Sequence, residues 1–205
     1  MKSAFIFLFA IALAACVAPA DAAAQGKQKS KAKMPSQEEM MKKWQEVMTP
    51  GDAHKKLEAF VGSWDVEAKV WMAGPKGESS VSKGTAEYTM ALGGRFLQQQ
   101  FTGEMMGQPM KGVGYTGFDN FRKKYVSFWI DDMGTAMSTM EGSMDKEGTT
   151  LTMWGKMDDP MSGAKDTKVK YVTRVVDKDK HVFESYDVSK FGEKDPVMVI
   201  TYTRK

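Results

Sequence analysis

The 205-residue chain has one cysteine, two histidines and four arginines, and its one long apolar run, Ala4 to Ala15, is twelve residues. A lone thiol, Cys16, excludes a disulfide within the chain. The histidines, His54 and His181, have no second histidine, cysteine or glutamate at ligand spacing, so no zinc site is indicated. Nothing marks either as the axial ligand that a haem-binding barrel needs. Gly-x-Ser-x-Gly is missing, no histidine neighbours a candidate nucleophile, and no spaced carboxylate pair occurs, so the usual signals of hydrolysis are lacking. Neither a metal nor a cofactor is expected, and no residue is assigned a catalytic role.

What is present begins with an address. Met1-Lys2-Ser3 is a short basic start to the apolar run, which suits a secretory signal and is too short to span a bilayer. Two cleavage patterns compete within residues 1–24. Leu13-Ala14-Ala15-Cys16 resembles a lipobox, which would make Cys16 an acylated membrane tether, whereas Ala22-Ala23-Ala24 before Gln25 suits an ordinary signal peptidase. On either reading the protein is exported: periplasmic, lipid-anchored to the bacterial envelope, or otherwise secreted.

Residues 25–35 read as a flexible tether, with Lys27, Lys29, Lys31 and Lys33 among small or polar neighbours. These lysines distort the charge count. Residues 1–35 hold five of the 29 basic groups and one of the 26 acidic ones, which leaves 24 basic against 25 acidic in residues 36–205. The near-neutral remainder removes the basic total as an argument for nucleic acid, and no nucleic-acid partner is expected. The tail itself suits anionic lipid or cell-wall polymer.

Residues 36–205 read as one domain, a helix followed by a β-barrel. Ser36 and Glu39 have capping-box spacing, and Met40, Met41, Trp44, Val47 and Met48 recur at helical spacing until Thr49-Pro50-Gly51. A second short helix is expected over residues 52–60. From there helical patterning stops. Ten strand-like runs follow, at about 64–72, 79–91, 95–103, 109–118, 123–131, 136–144, 149–157, 165–176, 181–189 and 196–204, divided by turn signals such as Gly74-Pro75, Gly93-Gly94, Asp119-Asn120 and Asp158-Asp159-Pro160. Short turns make neighbours antiparallel, and ten strands with one apolar face close most economically on themselves. The expectation is all-β: a single up-and-down antiparallel barrel of about ten strands, preceded by one or two short helices.

After Gly62-Ser63-Trp64 the first strand alternates strictly, Val66, Ala68, Val70 and Met72 against Asp65, Glu67, Lys69 and Trp71. Gly62 lets the chain turn into it while Trp64 plugs the barrel floor. The last strand carries Met198, Ile200, Tyr202 and Arg204 on one face, so Gly62, Trp64 and Arg204 are expected to form a closing latch, guanidinium over indole.

Several stretches point towards chemistry. Gly112-Val113-Gly114-Tyr115-Thr116-Gly117 spells G-x-G-x-x-G, but it lies within a strand and leads to no helix, so dinucleotide binding is excluded on context. There the glycines relieve crowding where a side chain crosses. Asp177-x-Asp179 opens like a calcium loop without its glycine and reads as a solvated turn. Methionine is over-represented, with 17 of 18 between Met34 and Met198. Its spacing on strands does not converge on a soft-metal site, and packing of core or cavity accounts for it better. Trp129 and Asp131 share a strand face, where an enclosed carboxylate would serve as acid or base. Arg95 and Arg174 are placed in strands and are candidates to hold a ligand carboxylate or phosphate. Tyr115 and Tyr202 complete the set of candidate ligand contacts.

The G-x-W start with an arginine on the closing strand is similar to the calycins, the lipocalin and fatty-acid-binding group. The stretches His54 to Trp64, Leu92-Gly93-Gly94-Arg95-Phe96, Gly114 to Asn120, Trp129 to Thr135, Asp158-Asp159-Pro160 and Tyr202-Thr203-Arg204-Lys205 resemble more closely a bacterial lipocalin-like family, domain of unknown function 1579. The resemblance implies a barrel fold and brings no activity. The function expected is binding of a small apolar or amphipathic molecule inside the barrel. The alternatives are an enzyme using the cavity with Asp131, and a scaffold barrel with a filled core.

Overall fold

A computed structural model describes residues 34–205. Cys16, both cleavage patterns and tether residues 25–33 lie outside the described residues.

The amphipathic run forms α1 (Gln37–Met48). It is followed by the single turn α2 (Asp52–Lys55) and a 3-10 segment, Lys56–Phe60. Ten strands then follow in order: β1 (Gly62–Val70), β2 (Ser80–Ala91), β3 (Phe96–Met105), β4 (Gln108–Asp119), β5 (Lys124–Asp131), β6 (Ser138–Met144), β7 (Thr150–Asp159), β8 (Ala164–Asp177), β9 (Lys180–Asp187) and β10 (Met198–Arg204), with a one-turn helix, α3 (Val188–Phe191), before the last. Each strand pairs antiparallel with its neighbours in sequence, and β1 also pairs with β10, so the sheet is a closed ten-stranded barrel with no free edge. Closure satisfies the ladder groups that an open sheet would expose.

The meander sends successive turns to opposite ends. One end receives the start of β1, the β2–β3, β4–β5, β6–β7 and β8–β9 turns, and the carboxyl terminus. It is plugged. Leu57 and Phe60 rise into the barrel beneath Trp64, and the Trp64 Nε1 donates to the Phe60 carbonyl at 2.9 Å. Leu57 is 0 % and Trp64 1 % exposed, burial that contributes roughly 1.5–3 kcal/mol for each such side chain. The plug is held at both sides: the Tyr125 hydroxyl donates to the Ala53 carbonyl at 2.8 Å, and the Lys56 ammonium donates to the carbonyls of Asp145 and Lys146 at 3.1 and 3.0 Å.

Arg204 lies over the Trp64 indole, 4.1 Å from the ring centroid. Its guanidinium also donates to the carbonyls of Val61 and Lys178, at 2.8 Å each. Gly62 sits at φ +131°, and a Cβ there would run into the Arg204 guanidinium. Both its backbone angle and the close approach therefore require glycine.

α1 buries no residue. The barrel holds it by its carboxyl end, where Asn120 Nδ2 donates to the carbonyls of Glu46, Val47 and Thr49 at 3.3, 3.0 and 2.7 Å, and Arg95 Nη2 to that of Met48 at 2.8 Å. Two turn side chains thus satisfy helix carbonyls that have no partner within the helix.

Candidate functional site

The barrel wall encloses a cavity of about 230 Å³. Alternation decides its lining. Val66 and Ala68 of β1, Leu97 and Phe101 of β3, Met110 of β4, Met140 of β6, Leu151 and Met153 of β7, Phe183 of β9 and Ile200 of β10 face it. The space is larger than the apolar cavity of about 150 Å³ that stays dry and admits benzene. A filled core is therefore not what this chain builds.

At the plugged end the floor is aromatic. His181, 1 % exposed, pairs directly with Tyr202 across β9 and β10. The two rings stack at 4.2 Å, and Trp64, Phe60 and Tyr88 present edges to the imidazole at 4.4, 5.2 and 5.7 Å. Among the described residues neither Nδ1 nor Nε2 of His181 has a hydrogen-bond partner. Loss of water around the imidazole, and secondarily the charge of Arg204, pushes its pKa down to about 3. The ring is neutral, with one donor and one acceptor unused. Leaving a buried polar group unmatched costs about 1–3 kcal/mol, so this residue is an exception that packing alone does not explain.

Beside it runs a short polar chain. The Tyr88 ring meets that of Tyr202 edge to face at 6.0 Å, and Gln99 Nε2 donates to the Tyr202 hydroxyl at 3.3 Å. Burial pushes both phenols above their ordinary pKa, Tyr88 further because of Tyr202 beside it. Higher on the wall Thr116, Ser127, Ser138 and Thr173 add hydroxyls. The cavity thus combines a largely apolar lining with a polar group of residues at its floor and a few hydroxyls on its wall, the kind of lining that orients a largely apolar ligand through a few polar contacts.

The candidate contacts fall in different places. Tyr202 is at the floor. Trp129 lines the wall, its indole lying across Gly112 and Gly114, where a Cβ on Gly114 would stand 2.9 Å from Trp129 Cε3. Asp131 is outside the lining: its Oδ2 accepts from Trp129 Nε1 at 2.8 Å and its Oδ1 from the Met133 amide at 3.1 Å. The carboxylate positions the indole and closes a turn. Tyr115 borders the cavity through its strand, but pairing with Phe128 puts its ring on the outer face, stacked at 5.4 Å.

The two arginines correct the expectation of an inward guanidinium. Arg95 precedes β3 in the β2–β3 turn and is spent on the carbonyls of Leu92 and Met48. Arg174 is on β8, but Tyr171 and Thr173 take the inner face, so it points outward and pairs with Glu184 of β9. The methionines also divide. Met110, Met140 and Met153 are interior packing, whereas Met72, Met106, Met133, Met137 and Met161 are exposed in loops at the end opposite the plug.

Sequence reasoning missed His181, Tyr88 and Gln99. The alternation of His181, Phe183 and Ser185 against Lys180, Val182 and Glu184 carried the signal for the first.

No curated protein is similar in sequence to this chain. Among solved structures, that of Rv2717c from M. tuberculosis is similar in fold, with a TM-score of 0.52 at 13% identity, over 77% of this chain and 99% of that one. The model of the family described as a protein of unknown function, DUF1579, matches residues 49–204, from just after α1 to the penultimate residue, and the chain belongs to that family.

Proposed function

We propose that the barrel binds one small, largely apolar molecule whose single polar group meets His181 at the cavity floor. The observation that carries this reading is the imidazole with both nitrogens unmatched in the wall of a cavity of about 230 Å³. A hydroxyl, carbonyl or protonated carboxyl on the ligand supplies what the described residues do not, beside the Tyr202 ring stacked on the imidazole and the Gln99 amide that donates to the Tyr202 hydroxyl. The closed meander with an arginine over a first-strand tryptophan supports a calycin-like assignment. Asp131, occupied by Trp129 and Met133, gives the enzymatic alternative no support.

Export follows from residues 1–24, and acylation of Cys16 would keep the barrel at the envelope. Native mass spectrometry of protein purified from its own host tests the ligand reading. A retained organic mass of one small molecule per chain is expected; protein that is uniformly empty under gentle desalting, and that takes up nothing from a lipid and metabolite extract of that host, would reject it.

A further inference from the structure

We propose that the plugged end of the barrel docks on an anionic lipid surface through α1 and the tips of two turns. Met40, Met41, Trp44, Val47 and Met48 occupy about a third of the helical circumference, and none is buried against the barrel. Trp44 is 62 % exposed. Two unrelated turns present further apolar side chains beside it: Leu92, 72 % exposed, in the turn whose Arg95 holds the Met48 carbonyl, and Phe121, 80 % exposed, next to Asn120 that holds the carbonyls of Glu46, Val47 and Thr49.

Charge selects the occupant. Arg95, Lys42 and Glu38 stand in the wall of one shallow groove with Met41, Trp44 and Met48, which leaves a net positive charge beside the apolar strip where lipid phosphates would lie. Beside Phe121, Arg122 and Lys124 share the single carboxylate of Glu141 at 2.6 Å each and Lys123 adds a further cation, so this turn is net positive, and Lys27, Lys29, Lys31 and Lys33 precede α1 in the sequence. Separate apolar tips set among cations suit the boundary between headgroups and acyl chains better than the flat, closely packed face that a second copy would need. Glu39 and Glu46 lie on the helix side away from the strip. No helix among the described residues is long and apolar enough to cross a membrane, so the contact is interfacial. It does not depend on acylation, and it turns the methionine-bearing loops of the opposite end away from the lipid.

The test uses the full chain with Cys16→Ser, which accepts no acyl group, and an environment-sensitive fluorophore on one introduced cysteine: Met48→Cys, Phe121→Cys or Met161→Cys. With vesicles of phosphatidylglycerol and phosphatidylcholine in equal parts, labels at 48 and 121 should shift to the blue and resist an aqueous quencher, while the label at 161 stays quenchable. Phe121→Ser should weaken the response at 48 roughly tenfold, as should vesicles of phosphatidylcholine alone. Labels at 48 and 121 that stay quenchable, even if residues 1–33 hold the chain on vesicles, would overturn the proposal. Shielding that grows with protein concentration and needs no vesicles would overturn it in favour of a second copy, and an equal response to neutral vesicles would overturn its electrostatic part.

Discussion

Arg204 and Trp64 stand opposite each other across the β1–β10 seam, paired in register and 4.1 Å apart from guanidinium carbon to indole centroid. The first and last strands are joined there by more than their ladder, because the same guanidinium reaches the carbonyls of Val61 and Lys178. Trp64→Ala should cost about 3–5 kcal/mol through the cavity it leaves. Arg204→Ala should cost about 2 kcal/mol through lost charge-assisted hydrogen bonds and the ring contact. Denaturant unfolding of both variants and their double mutant should reveal a coupling of at least about 0.5 kcal/mol; strictly additive losses would mean that the two act independently.

Trp129 should depend on the glycines beneath it. Gly114→Ala places a methyl 2.9 Å from Trp129 Cε3, and lifting the indole would strain its bond to Asp131. A loss of about 1–3 kcal/mol is expected, as for other overpacked sites, with a shift in tryptophan emission. Unchanged emission and stability would show that the wall yields elsewhere.

The architecture was legible because both kinds of signal agreed: alternation marked each strand, and glycine, proline or aspartate pairs marked each turn. Trp64 and Arg204 could be joined from sequence because closure brings the first and last strands together. Facing was harder to read. On β8 the set Lys170, Val172 and Arg174 and the set Tyr171, Thr173 and Val175 are each partly apolar, so polarity alone does not say which looks inward. Arg95 was misplaced because the turn extends one residue further than the glycines indicate. His181 was missed for a different reason. It has no chemical partner nearby in sequence, and its neighbours Trp64, Tyr88 and Tyr202 come from three other strands.

His181 should also leave a mark on the pH dependence of stability. Its folded pKa, about 3, lies below the unfolded value of about 6.5, so the unfolded chain takes up a proton that the native chain refuses. The contribution is complete above about pH 6.5 and is lost as pH falls towards 3, at up to about 1.4 kcal/mol per pH unit. His54, also lowered, chiefly by burial, titrates in the same sense and is retained in His181→Phe. That variant should therefore show a shallower fall between pH 6.5 and 4 in parallel denaturant titrations; an equal slope would place the imidazole in contact with water.

The central claim is that a ligand completes His181. The chain has only two histidines, so nitrogen-15 NMR of histidine-labelled protein resolves the two imidazoles without ambiguity. Delipidated protein is titrated with fatty acids, long-chain alcohols and retinoid-like polyenes. At least one class should bind more tightly than about 100 μM, roughly −5.5 kcal/mol, and move the His181 ring nitrogens to hydrogen-bonded shifts while His54 stays in place. Binding that leaves the His181 nitrogens unmoved, or no binding by any class, would contradict the account.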